Sequence, residues 1–362
     1  MRTSTRLFVP ALVIAALFAN ATTTSSAATK KKTTTTKAKA TVPKPAATLA
    51  PTTVAGATGI DTAKFSGKTL RIMAPAAPGG GWDSTSRAMQ RVMQETSIRK
   101  RVDVFNVAGA GGTIGLAQLV AQEQGKGDIL MTMGLVMVGA IETNRPQATL
   151  DKRFVTPIAR LTAEDEIIVV PADSKYKTLA DLVNDMVANP SGTPIAGGSA
   201  GGTDHILAGL LAKSGGAEAK RLNYIAFSGG GQALAALLGN KVSAGISGVG
   251  EFLPQVKEGK LRALATSGNA RIPGTNIPTI KEAGFNLELQ NWRGVVAPAG
   301  LSAAEQAELL DTVRALYQSP QWKAEMKKQG WDDVYLDGEK FRTFLDDEEN
   351  RIRGVLRDIG LA

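Results

Sequence analysis

The 362 residues contain no cysteine and one histidine, His205. The lack of cysteine excludes a disulfide framework, an N-terminal lipid anchor, a thiol nucleophile and a thiolate metal cage. A lone histidine cannot build a His-based metal cage, and a Ser–His pair through His205 has no supporting context. No nucleophile elbow of the Gly-x-Ser-x-Gly type is expected. Catalytic residues, metal ligands and cofactors are therefore all expected to be none.

Acidic residues are missing from the first sixty positions, and this explains the charge. The chain has 42 basic and 33 acidic residues, for a net +9. Arg2, Arg6, Lys30, Lys31, Lys32, Lys37, Lys39 and Lys44 all precede Asp61, the first acid, and leave 34 basic against 33 acidic residues in the rest. The basic character belongs to the N-terminal tail, so the body carries no global signature of nucleic-acid binding, and none is expected.

That tail reads in two parts. Residues 1–28 have the form of a secretory signal: Arg2 and Arg6, an uncharged run from Leu7 to Ala19, then small residues with a cleavage window at Ser25–Ala28. The apolar run is about 13 residues, short of the roughly 20 that a membrane span needs. Residues 29–60 are rich in Lys, Thr, Ala and Pro, with almost nothing to bury, which predicts a flexible spacer. Fully extended it reaches on the order of 90 Å. The expected location is outside the cytoplasm, periplasmic or associated with a cell wall, without a lipid anchor.

The remaining 300 or so residues suffice for two domains. Short apolar strands alternate with helical stretches, the pattern of an α/β fold. Strands are expected at 70–74, 102–107, 128–133, 167–170, 195–196, 221–226, 242–246, 261–266 and 292–297. Capping boxes at Thr178–Asp181, Thr279–Glu282 and Ser302–Glu305, and Ser319 before Pro320, mark helix starts, and the chain is expected to be helical after Ala297. The first helix is expected to begin near Ser84, with Asp83 as its N-cap. No tandem repeat is present.

What recurs is a unit of strand, glycine-rich loop and helix. Five such loops occur, at 78–83, 108–115, 197–203, 227–231 and 247–250. A glycine-rich loop entering a helix presents unpaired backbone N–H groups at the positive end of the helix dipole, which favours anions. Five loops at equivalent strand ends point to a cleft that wraps an anion. Nucleotide patterns do not fit: no loop carries Gly-Lys-Ser/Thr, and from Gly109 and Gly111 the third glycine of a dinucleotide fingerprint falls at Gly115 instead of position 114. His205 reads first as a locally bonded helix-start residue and second as a ligand contact. Trp82 and Trp292 fit either cleft walls or core. Arg87 reads as half of a surface ion pair.

Several motifs in order resemble the Bug-type receptors, the substrate-binding proteins of tripartite tricarboxylate transporters. They are Pro78-Gly79-Gly80-Gly81-Trp82-Asp83, Asn106 with Gly109-Ala110-Gly111-Gly112, Tyr224 to Gly231, Gly259 to Ala265, and Ile277-Pro278-Thr279 with Glu282-Ala283-Gly284. The resemblance runs from about Leu70 to the C-terminus. It implies a two-lobed, periplasmic-binding-protein-like α/β fold of the second type, with a hinge and a ligand cleft between lobes. Lobe 1 would be 66–167 plus 285–362, and lobe 2 would be 168–284. The chain would crossing-join the lobes near Glu164–Val169 and Phe285–Val295.

The same resemblance implies a receptor, not an enzyme. It would act as a monomer that captures a small carboxylate, citrate-like tri- or dicarboxylates favoured, and delivers it to one large and one small integral-membrane subunit. The implied contacts on the first lobe are Pro78, Gly79, Gly80, Gly81, Trp82, Asp83, Gly111, Gly112, Thr113 and Gly134. Those on the second are Ser199, Ala200, Gly201, Gly202, His205, Phe227, Ser228, Gly229, Gly230 and Ser247. Phe227 replaces a tyrosine found in many members, which removes a hydroxyl, and Trp82 and Phe227 resemble the tricarboxylate branch. An exported enzyme acting on a carboxylate or ester, or a surface sensor using the same clamp, stands as the alternative.

Overall fold

The computed structural model describes Phe65, residues 67–227 and residues 229–362. The expected signal segment, the spacer and Ser228 lie outside the described residues.

The chain opens with β1 (Leu70–Ala74), α1 (Gly81–Glu95), β2 (Val102–Asn106), α2 (Thr113–Gln122), β3 (Ile129–Gly134) and α3 (Leu135–Asn144). The long strand β4 (Val155–Pro171) follows, then α4 (Leu179–Ala188), β5 (Ile195–Gly197), α5 (Thr203–Ser214), β6 (Tyr224–Ala226) and α6 (Gly230–Leu238). Next come β7 (Ala244–Gly248), α7 (Val249–Lys257), β8 (Leu261–Thr266) and β9 (Gln290–Pro298). The chain closes with α8 (Ala303–Gln318), α9 (Pro320–Gln329), β10 (Asp332–Asp337) and α10 (Gly338–Asp358).

The strands run in the order β2-β1-β3-β9-β4-β7-β5-β6, with β10 and β8 also on β4. One half is parallel at β2-β1-β3 and antiparallel where β9 meets β3 and β4. The other half is parallel at β6-β5-β7 and antiparallel where β4 meets β7 and β8. Strand β4 belongs to both. Its residues through Asp165 pair with β9, whereas those from Glu166 pair with β7. At ~3.3 Å per residue its 17 residues span roughly 55 Å.

Periodicity explains which faces are buried. Helix α1 turns Ala88, Met89, Val92 and Met93 onto a core shared with Ile72, Val313, Leu316 and Trp322. Helix α10 buries Phe341, Leu345, Ile352 and Leu356 and packs on α3, β4 and α5, tying the two halves of the sheet together. Burying each such side chain contributes ~1.5–3 kcal/mol. Phe252, Leu237, Ile167 and Val169 form a further core under α6 and α7.

The capping boxes at Thr178 and Ser302 open α4 and α8, and Ser319 caps α9 through a 3.2 Å bond from the Trp322 N–H. Three sequence expectations need correction. Thr279 and Glu282 exchange their capping bonds at 3.1 and 2.9 Å, but only a turn forms, because Gly284 enters the left-handed region at φ +96°. Strand β10 interrupts the expected all-helical tail: Val334 and Leu336 lie half-buried where the chain pairs with β4. Helix α1 begins at Gly81, so Gly80 is the N-cap and Asp83 the third helical residue.

Candidate functional site

The site builds from the strand-to-helix turns. In the β1–α1 turn, Gly79 has φ +84°, a conformation that favours glycine. Buried Asp83 holds this turn together. Its Oδ2 accepts from the Gly79 N–H at 2.8 Å and from Arg87 Nε at 3.0 Å, while Oδ1 accepts from Asn106 Nδ2 at 2.9 Å. Burial works to raise this carboxyl, but the bonds from Arg87, Gly79 and Asn106 outweigh it and hold the pKa below the ordinary aspartate value. Arg87 is accordingly a partner of Asp83. Trp82 and Trp292 are both buried, so both belong to the core. Pro78 and Gly79 face solvent, and Gly80 and Gly81 are half-buried.

The β2–α2 turn crosses the left-handed region at Gly111 and Gly112, with φ +62° and +89°. A Cβ on Gly112 would lie 2.6 Å from the Trp82 ring, and one on Gly111 would lie 2.5 Å from Ala140 Cβ. Thr113 opens α2 and returns its hydroxyl to the Ala110 carbonyl at 2.9 Å. Gly134 ends β3 against the Trp292 carbonyl, where a side chain would collide. These contacts seat the starts of α1, α2 and α3 side by side.

From the other half of the sheet, Ser199–Gly202 leads into α5. A Cβ on Gly139 of α3 would strike the Gly201 carbonyl, and one on Gly201 would lie 2.6 Å from Thr143 Cγ2. Residues from two distant stretches thus meet backbone to backbone. Asp204 Oδ2 accepts from the Gly198 N–H at 2.6 Å, and burial raises its pKa to about 7, with Glu251 and Glu164 adding to the rise. His205 Nδ1 accepts from the Gly201 N–H at 3.2 Å, and its ring stacks on Tyr224 at 3.9 Å. Burial lowers the His205 pKa to about 4, so the imidazole is neutral at physiological pH. Tyr224 donates its hydroxyl to the Gly198 carbonyl at 2.9 Å, completing the support of this loop. Ala200 is the exposed tip.

Phe227 donates its N–H to the Gly197 carbonyl at 2.9 Å and packs against the core beneath α6 and α7. Gly229 is the N-cap of α6, and Gly229 and Gly231 have open space around them. The Gly230 N–H is bonded to the Glu251 carboxylate, whose Oε2 also accepts from the Ser247 hydroxyl at 3.1 Å.

Three residues outside the expected set, Arg293, Glu164 and Glu166, cluster beside these turns. Arg293 donates to Glu164 across 2.8 Å, with side-chain exposures of 6% and 12%. This pair is wedged between two glycines: a Cβ on Gly81 would lie 2.6 Å from Arg293 Nη2, and one on Gly248 would collide with Glu164. Glu166 is fully buried with neither carboxyl oxygen hydrogen-bonded. Burial raises its pKa well above the ordinary value, and Asp204, Glu164 and Glu251 add to this against Arg293. The available signal was Glu164 and Glu166 at alternate positions beside the apolar run Ile167–Val170.

One sequence reading is corrected. Gly197-Gly198-Ser199-Ala200-Gly201 does have the Gly-x-Ser-x-Gly spacing. The strained nucleophile turn is missing, however: Gly201, not Ser199, takes the positive φ, at +73°, and His205 Nδ1 is bonded to the Gly201 N–H. Among the described residues, no helix is long and apolar enough to cross a membrane.

Comparisons with known proteins agree with this architecture. BugT of Bordetella pertussis is 28% identical over 308 residues, covering 82% of this chain and 90% of BugT. MatC of Rhodopseudomonas palustris, solved with bound malate, superposes with a TM-score of 0.66 at 24% identity, covering 80% of this chain and 98% of MatC. A second R. palustris protein, solved with adipate, gives a TM-score of 0.71 at 21% identity over 81% of this chain and 97% of its own. The fold is the α/β, two-lobed periplasmic-binding-protein-like fold, as the sequence motifs implied. The family model described as tripartite tricarboxylate transporter family receptor matches residues 86–361. Its members are solute-binding receptors, not enzymes, and this chain belongs to that family, TctC.

Proposed function

We propose that the chain works outside the cytoplasm as a receptor that closes around one small carboxylate, with citrate-like tri- and dicarboxylates as favoured ligands. The lobes are 66–167 with 285–362, and 168–284. The observation that carries this reading is the meeting of Gly111, α3 and Gly201, which brings helix-start loops from both halves of the sheet together. Helix starts offer N–H groups and a favourable dipole to a carboxylate. Malate in MatC and adipate in the second neighbour are both small dicarboxylates and support the choice.

The candidate contacts divide by role. Gly81 and Gly111 are the candidate backbone donors on the first lobe, while Pro78, Gly79, Gly80, Gly112, Thr113 and Asp83 shape its turns. Ser199, Ala200, Ser228, Gly229 and Ser247 are the candidate donors on the second lobe, while the Gly201, Gly202 and Gly230 N–H groups already have acceptors in His205, Ser199 and Glu251. His205 and Phe227 position loops, and Trp82 and Gly134 support the floor. Where β4 and the segment before β9 pass between lobes, small changes in backbone angle rock one lobe against the other. Ligand favours the closed form only through its greater affinity for it. The closed receptor would then dock on one large and one small membrane subunit, as a monomer.

Calorimetry and thermal shift against citrate, malate, adipate and amino acids test this reading. A saturable acid that raises the melting temperature and is recovered unchanged supports it. Recovery of a chemically altered product favours the enzyme alternative, and binding of none of these acids refutes the carboxylate.

A further inference from the structure

The start of α6 has the form expected of a carboxylate site, yet the protein itself occupies it. Helix α6 is nine residues long and opens on Gly229 and Gly230. The Gly230 N–H and the Ser247 hydroxyl both point at one acceptor, the carboxylate of Glu251 in the first turn of α7. Two donors converging on one carboxylate are what a ligand's carboxylate would need at this place. Glu251 retains solvent-exposed surface, and the space around Gly229 and Gly231 is open, so an incoming acid can reach the same donors.

Resting on the receptor reading above, we propose that Glu251 is a built-in competitor for the ligand: it caps α6 in the empty receptor and must leave the Gly230 N–H and the Ser247 hydroxyl before a ligand carboxylate binds there. The surroundings bear on how readily it leaves. Glu164 and Glu166 face it from β4, Asp204 from α5, and Arg293 from β9 is the one cation among them. Partial burial, then the Glu164 charge, raises the Glu251 pKa above the ordinary glutamate value, against the Ser247, Arg293 and Gly230 contacts. A protonated Glu251 is a weaker cap and does not repel an arriving carboxylate. An ionised Glu251 caps more strongly and repels the ligand, so capture weakens as pH rises through its pKa.

Two measurements test this on the full-length protein. In the first, the Gly230 amide resonance is followed between pH 4 and 8. It is expected to titrate in wild type and to stay flat in Glu251→Gln, and a flat wild-type profile overturns the proposal. In the second, adipate, malate and citrate are titrated by calorimetry at pH 5.5 and 8. Wild type is expected to lose about tenfold in affinity at the higher pH, within the tenfold per pH unit that one proton allows. Glu251→Gln and Glu251→Ala are expected to bind at least as tightly as wild type, and to lose clearly less affinity than wild type between the two pH values. Weaker binding by both variants at both pH values makes Glu251 a ligand contact and overturns the competitor, while leaving the receptor intact. Failure of all three acids to bind either wild type or variants overturns the carboxylate reading and this inference together.

Discussion

Arg293 and Glu164 form a buried ion pair, 2.8 Å apart, beside the point where β4 passes from one half of the sheet to the other. Gly81 lies against Arg293 and Gly248 against Glu164, so the pair joins the start of α1 to the start of α7. Removing one member of such a pair leaves a buried charge uncompensated. Arg293→Ala should destabilise the protein by about 3 kcal/mol. The double replacement Arg293→Met with Glu164→Gln should recover most of the loss, and urea unfolding of the three proteins measures both effects.

Glu166 calls for a different outcome. Its carboxyl is buried without hydrogen bonds, and burial is the first cause of its raised pKa. A raised folded-state pKa means that the folded protein binds the proton more tightly than the unfolded chain. The stability this contributes is complete below the unfolded value near pH 4.5 and is lost as pH rises through the folded value. Asp165 and Asp204, raised to about 6 and about 7, lose stability in the same direction between pH 4 and 7. Glu166→Gln should therefore raise the melting temperature at pH 8 by roughly 3 °C and leave pH 4 nearly unchanged. A uniform change at both pH values would argue against this account.

Asp83 acts in the opposite sense. Its folded-state pKa is depressed, so its contribution is present above the unfolded value and lost as pH falls through the folded one. Asp83→Ala frees the Gly79 N–H, Asn106 and Arg87 together. We expect a loss of about 2 kcal/mol at pH 7, shrinking as pH falls below the ordinary 3.8, with weaker carboxylate binding because the β1–α1 turn loosens. Denaturant melts across that range, with calorimetry at pH 7, read both effects.

His205 supplies a further pH test. Its pKa falls from the ordinary 6.5 to about 4 on burial, so the unfolded chain takes up a proton first as pH drops. Stability is complete above 6.5 and declines between 6.5 and 4. In His205→Phe that decline should disappear while the stack on Tyr224 persists. The Gly201 N–H, however, loses its acceptor. Comparing melting temperatures of the two proteins at pH 4.5 and 7.5 isolates the difference.

Gly139 has no room for a side chain, because the Gly201 carbonyl occupies the space. Gly139→Ala must push the Ser199–Gly202 loop away from α3, with an overpacking cost of about 2 kcal/mol. Small-angle scattering should show a wider molecule, and ligand affinity should fall by about tenfold. An unchanged radius and affinity would mean that this contact does not control the cleft.

Much of the architecture was legible in the residues. The alternation of apolar strands with helices, the caps at Thr178, Ser302 and Ser319, and the glycine loops are local signals, carried by periodicity and backbone chemistry within a few residues. Strand β10 was not legible: Asp332, Asp333 and Asp337 flank a short apolar stretch whose strand character comes from pairing with β4. The start of α1 was misplaced for a related reason. Gly81, Trp82 and Asp83 are poor helix formers, and burial of Trp82 together with the three bonds to Asp83 overrides that preference.

By itself the sequence determined the α/β class, the basic tail ahead of a near-neutral body, and the five loops able to greet an anion. Only the tertiary structure decided what those loops already hold. Asp83 takes the Gly79 N–H, Asp204 takes the Gly198 N–H, and Glu251 takes the Gly230 N–H. Only folding, likewise, places Glu164, Glu166 and Arg293 together where β4 passes between the two halves of the sheet. A loop's capacity to bind an anion follows from local backbone geometry, but which carboxylate reaches it depends on packing between residues as far apart as Glu164 and Arg293, and no local pattern encodes that distance.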